Sequence, residues 1–78
     1  MTRAKFKVDS IEQQLHWDRS KGELHTIKLS PVTAGSEENK TFFSATPVGR
    51  IELGVLNQEA GKQFELGKEY YVDFTKAE

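Results

Sequence analysis

Between Glu38 and Gly49 the chain gathers an amide, an ammonium group, hydroxyls and two phenylalanines within a dozen positions (Glu38-Asn39-Lys40-Thr41-Phe42-Phe43-Ser44-Ala45-Thr46-Pro47-Val48-Gly49). On a short helix, Asn39 and Phe43 lie one turn apart on one face, and Phe42 points elsewhere. One phenylalanine can then fill the core while the other is offered outward. An outward ring beside a lysine, an amide and a hydroxyl has the groups that stack a base, neutralise a phosphate and read a base edge. Asn39, Lys40 and Thr46 are therefore candidate contacts to phosphate or base edges, and Phe43 is the candidate stacking ring. Lys28 and Tyr71 are further ligand-binding candidates. Taken alone, the segment also has a plainer account, in which both rings cap the barrel and the polar groups cap helix ends.

Tyr70-Tyr71 poses the same choice. Tyr70 shares a strand face with Val72 and Phe74 and reads as core; Tyr71 falls with Asp73 on the other face. Exposed aromatics on a small curled sheet suit base stacking, but Glu52, Glu69 and Asp73 accompany Lys28, so no basic groove forms. A small ligand held by a few placed groups fits that pattern better than bulk nucleic acid.

No catalytic constellation emerges. The serines occupy no G-x-S-x-G elbow, phosphate loops of the Walker or dinucleotide type are absent, and the carboxylates read as a solvated surface. His16 and His25 fall on opposite faces of the expected hairpin and match no zinc-ligand spacing, so one reads as exposed and the other as lying at a sheet margin. The expectation is a protein that is not an enzyme and carries no cofactor and no metal.

Seventy-eight residues bound the rest. They suffice for one domain, spanning 1–78, whose core is thin because a chain this short hides only about 60% of its unfolded surface. With no cysteine there is no disulfide or Cys-based zinc staple, so an idealised core or self-association must compensate. Eleven basic against twelve acidic residues argue against bulk binding to DNA or acidic membranes. No apolar run is long enough to span a bilayer, and no signal-peptide hydrophobic region stands at the N-terminus. A cytoplasmic location is therefore the expectation.

The elements that must position these groups are mostly strands. Phe6 and Val8 alternate in one phase and Ile11, Leu15 and Trp17 in the other, which predicts a β-bulge near Asp9-Ser10. Gly22 suits the positive φ of a turn before a second strand, Glu23 to Val32. A five-residue connection, Asp18 to Gly22, pairs Ile11 with Leu29, Leu15 with His25 and Trp17 with Glu23. It gathers Ile11, Leu15, Trp17, Ile27 and Leu29 on one face, whereas a four-residue loop mixes polar with apolar. Pro31 ends that ladder, Thr33-Ala34-Gly35 turns, and Ser36 caps a helix of about two turns, with Glu37 and Glu38 in its favourable first turn. Thr46 to Gly49 forms a tight turn. Ile51, Leu53 and Val55 face inward from a third strand, Asn57 caps a second short helix over Gln58 to Phe64, and Gly67 turns into a last strand. The fold class is mainly β (α+β): a small curled sheet or partly open barrel in the order β-β-α-β-α-β, with two very short helices.

Two stretches, N-K-x-F-x-x-A-T-P-x-G (Asn39 to Gly49) and N-x-x-A-x-x-x-F-x-x-G-K-E-Y-Y-V-D-F (Asn57 to Phe74), together with K-L-S-P-V (Lys28 to Val32), resemble a family of small uncharacterised tailed-phage proteins. Members often carry Ser-Pro and Asn-Pro before the two helices, where this chain has Glu37 and Gln58. The resemblance implies a phage accessory or counter-defence protein in the host cytoplasm. One such class is the oligomeric sponge that sequesters a cyclic or modified nucleotide immune signal. The expected partners are then further copies of the chain and a cyclic nucleotide. Two alternatives stand beside that reading: a protein–protein inhibitor of a host factor or virion accessory, and a small-barrel binder of single-stranded nucleic acid.

Overall fold

The computed structural model describes residues 2–15, 17–18, 22–44, 48–56 and 58–78. Its elements in chain order are β1 (Thr2–Leu15), β2 (Glu23–Pro31), α1 (Glu37–Phe43), β3 (Ile51–Val55), α2 (Gln58–Gly61) and β4 (Glu69–Phe74). The strands form one antiparallel sheet in the order β3-β2-β1-β4. The mainly β expectation holds, and the barrel does not. β4 pairs with β1 over Thr2 to Lys7, whereas β3 pairs with β2 over His25 to Leu29. The two edge strands are therefore offset diagonally along the sheet and leave it open. The second expected helix is also corrected. α2 is a single turn, after which Phe64 N–H donates back to the Gly61 carbonyl at 3.3 Å. The Tyr70 hydroxyl then draws the chain toward β4, donating to the Gln63 carbonyl and accepting from Glu65 N–H, each at 2.9 Å. α1 is the one helix longer than a turn among the described residues.

The phase change in β1 is a bulge: pairing runs Val8–Leu29 and then Ser10–Lys28, leaving Asp9 without an opposite residue. It switches the inward face from Ala4, Phe6 and Val8 to Ile11 and beyond. The hairpin register differs from the expected one by two residues. Ile11 lies opposite Ile27, Gln13 opposite His25 and Leu15 opposite Glu23, with residues 16–22 connecting the strands. A shift of two keeps every side chain on its expected face, since the strand period is two. It also places Ile11 against Ile27 and polar Gln13 against His25, where the expected register sets Gln13 against Ile27. Leu15 and Trp17 consequently leave the core, with 76% and 89% of their surface exposed.

Among the described residues the buried apolar core is small: Ala4, Phe6, Val8, Ile27 and Leu29. Phe43, Ile51, Phe64, Tyr70 and Val72 pack against it half-buried, and Leu53, expected inward, is exposed. α1 begins as anticipated. Gly35 adopts φ 72°, and the Ser36 hydroxyl accepts from Asn39 N–H at 3.2 Å. The helix ends on Ser44 at φ 67°, whose N–H donates to the Lys40 carbonyl. The expected Thr46–Gly49 turn and the Asn57 cap fall partly or wholly outside the described residues, as does His16. His25 is buried beneath α2, more deeply than a sheet margin implies.

Candidate binding site

Asn39 does not face a ligand. β2 ends at Pro31, so the β1 backbone before Phe6 has no strand beside it on that side, and α1 fills the vacancy. Asn39 is 3% exposed, and its carboxamide stands in for the missing strand. Oδ1 accepts from Lys5 N–H at 2.6 Å, while Nδ2 donates to the Lys5 carbonyl at 2.7 Å and to the Val32 carbonyl at 2.9 Å. Both amide protons are consumed by backbone, so the expected contact to a phosphate or base edge is replaced by a structural one.

Phe43 is likewise turned inward. It shares the inward face of α1 with Asn39, as expected, and packs against the core. The outer ring is Phe42, set edge-on to Phe43 at 4.9 Å and stacked on Phe74 at 5.8 Å. Lys40 is exposed beside a shallow depression formed by Val32 to Ser36. Lys28 lies on the outer face of the sheet, paired with Glu12 at 3.2 Å. Thr46 lies outside the described residues. Among the described residues of the segment, the inward groups hold α1 to β1, and Glu38, Thr41 and Phe42 line an open hollow with Thr2 and Arg3.

Tyr71 has the richest surroundings of the six. It lies on the outer face opposite Lys5, with the Arg3 guanidinium 4.6 Å and the Lys5 ammonium 5.4 Å from its ring centre. Arg3 also forks onto Asp73, with Nε and Nη2 donating at 2.6 and 3.1 Å. Lys5 stands between Glu38 at 3.5 Å and Glu69 at 3.8 Å. Hydrogen bonding to Arg3 holds the Asp73 carboxyl below its ordinary value and raises Arg3 in turn. The Glu38 carboxyl is lowered chiefly by its own backbone N–H, against partial burial, with Lys5 and the Tyr71 hydroxyl adding. Two cations face three carboxylates here. An incoming phosphate must displace these partners, so the cluster suits strapping β1 to β4 and α1 better than holding an anion.

Sequence reasoning missed the apolar cleft on the inner face. Leu29, Ile51 and Leu53 form one wall and Phe64, Tyr70 and Val72 the other, around a space of about 430 Å³ with Tyr71 and Asp73 at its rim. Its signal was present in the alternation of the third and last strands. Those residues read as core because the sequence does not say that the described elements cover them only in part. No protein-family model, curated protein or solved structure matches the chain. The residues of its two motifs nonetheless have plain structural uses. Asn39 and Phe43 seat α1, Gly67 makes a turn at φ 82°, Tyr70 and Val72 face the cleft, and Asp73 holds Arg3.

Among the described residues no three His, Asp or Glu side chains gather to hold a metal ion, and no helix is long and apolar enough to cross a membrane.

Proposed function

We propose that the chain is a non-enzymatic binding protein of the phage-accessory kind that acts by protein–protein contact through the open inner face of its sheet. The observation that supports this reading is the open cleft between Leu53 and Val72, walled by apolar and aromatic side chains. Such a surface is stabilised by burial against protein, and it offers no cation to a phosphate. The accessory role is what the sequence resemblance of its two motifs implies. A photo-crosslinking phenylalanine analogue at Leu53, compared with one at Lys28 on the outer face, tests it in cells. Protein adducts formed from position 53 and not from 28 are expected. Equal yields, or none from 53, overturn the reading.

A second reading keeps the nucleotide ligand and moves it to the outer face. It is favoured by the two cations beside the Tyr71 ring. Calorimetry against cyclic dinucleotides and trinucleotides decides it: heat that disappears in Tyr71→Ala supports this site, and no heat with any of them removes it.

A further inference from the structure

Building on the reading of the inner face as a protein-binding surface, we infer that its occupant is a second copy of this chain, seated face to face about a twofold axis.

Size is the first argument. The chain exposes 5968 Å², whereas a compact monomer of 8.9 kDa exposes about 4,800 Å². Its radius of gyration is 14.5 Å against about 11.5 Å for a compact domain of this length. Its shortest dimension is 17 Å, the thickness of one sheet with its side chains and partial cover. The surplus of about 1,150 Å² exceeds the roughly 800 Å² that each partner contributes to an interface of standard size. Part of that surplus lies on the inner face, at Leu15, Leu53 and Phe74, where another copy can cover it.

Charge selects the partner. A twofold interface brings a surface against itself, so a patch of one sign repels its own image. Strand positions turned to the inner face carry no lysine, arginine or aspartate, and their single glutamate, Glu23, stands at the hairpin end away from the cleft. Charges collect instead on the outer face, around Arg3, Lys5, Lys28 and Asp73. Inner faces can therefore meet with no charged strand side chain at their centre, and Asp73 at the cleft rim is already held by Arg3. The pairing closes a two-layer sheet packing over the small core and leaves both Tyr71 clusters on the outside.

Sedimentation equilibrium over a wide concentration range tests this, with circular dichroism to confirm folding. The expected result is a mass twice 8.9 kDa that returns to the single mass in Leu53→Glu. Leu53 is 37% exposed, so the variant leaves the buried core intact. The absence of cysteine permits a second assay independent of that variant. Spin labels at Leu53→Cys are expected to lie closer across the dimer than labels at Glu52→Cys on the outer face. A single mass at every concentration, a doubled mass unchanged by Leu53→Glu, or no dipolar coupling at position 53 each overturns the inference. Binding of an anilinonaphthalene dye separates the two levels of failure. A monomer that binds the dye in wild type and not in Leu53→Glu leaves the protein-binding reading standing, whereas a monomer that does not bind it removes both.

Discussion

Asn39 shows how one side chain can hold an element in place. Its amide copies the donor–acceptor pattern of a neighbouring strand: it satisfies Lys5 N–H and the Val32 carbonyl, and adds a second bond to the Lys5 carbonyl, which also accepts from Val32 N–H at 3.1 Å. Truncation strands Lys5 N–H and the Val32 carbonyl, at about 1–3 kcal/mol for each that water cannot reach, while the Lys5 carbonyl keeps Val32 N–H. Asn39→Ala is accordingly expected to destabilise the fold by about 3 kcal/mol in urea unfolding. Asn39→Asp should cost a similar amount, since it keeps the acceptor to Lys5 N–H but turns an oxygen toward two carbonyls. A ligand-binding role predicts the opposite pattern, loss of affinity at unchanged stability. That the residue matters was legible in the chain, because an amide one turn from a phenylalanine stood out. Its use was not, because the unpaired edge it fills arises only when β2 stops short of the start of β1. The choice between Phe42 and Phe43 was likewise open until the helix was seated.

Element-scale contacts explain both the truncated second helix and the acid sensitivity expected of the sheet. α2 meets β2 where Gly61 passes over His25; a Cβ on Gly61 would lie 2.5 Å from the imidazole Nδ1. The ring is buried and bounded by Gln13 at 3.5 Å and Glu23 at 3.6 Å, so it has little room to retreat. Gly61→Ala should therefore cost about 1–3 kcal/mol from overpacking. Adding His25→Ala should recover part of that loss, and a double-mutant cycle in thermal or urea unfolding measures the coupling. At the other end of the sheet, the Arg3–Asp73 fork and the Lys5–Glu38 pair tie β1 to β4 and to α1. Both carboxyls titrate below their ordinary values, so the folded state binds fewer protons than the unfolded chain as they begin to protonate. Their stabilisation is complete above the ordinary carboxylate range near about pH 4 and is lost as the pH falls through the depressed values. Unfolding followed from neutral pH into acid should show this decline, and it should be shallower in Asp73→Asn.

For the whole molecule, the decisive quantity is surface that has nothing to bury it. The five buried apolar side chains among the described residues are a slender core, and a half-covered sheet adds the cleft walls to what remains exposed. If a second copy covers them, stability becomes a property of concentration, because association draws on the folded state alone. The melting temperature is then expected to rise with protein concentration in wild type and to stay constant in Leu53→Glu. Scanning calorimetry over a hundredfold dilution checks this. Lack of cysteine and a thin core already pointed toward association, but which surface serves it was hidden. Face and phase are local properties of a strand, whereas cover depends on where the remaining elements fall.

The sequence alone determined the features that short-range physics controls. Alternation set the strands and their inward faces, a phase change marked the bulge at Asp9, and Ser36 with Gly35 placed the start of α1. Each depends on residues a few positions apart. Tertiary structure decided the features that depend on distant segments. The hairpin slid by two residues because apolar pairing across strands, rather than loop length, governs register. The sheet stayed open because β3 and β4 lie beside different parts of the long hairpin. Asn39 passed from candidate ligand contact to backbone surrogate, and Leu53 from core to surface, because the neighbours that define burial are supplied by the fold rather than by the adjoining sequence.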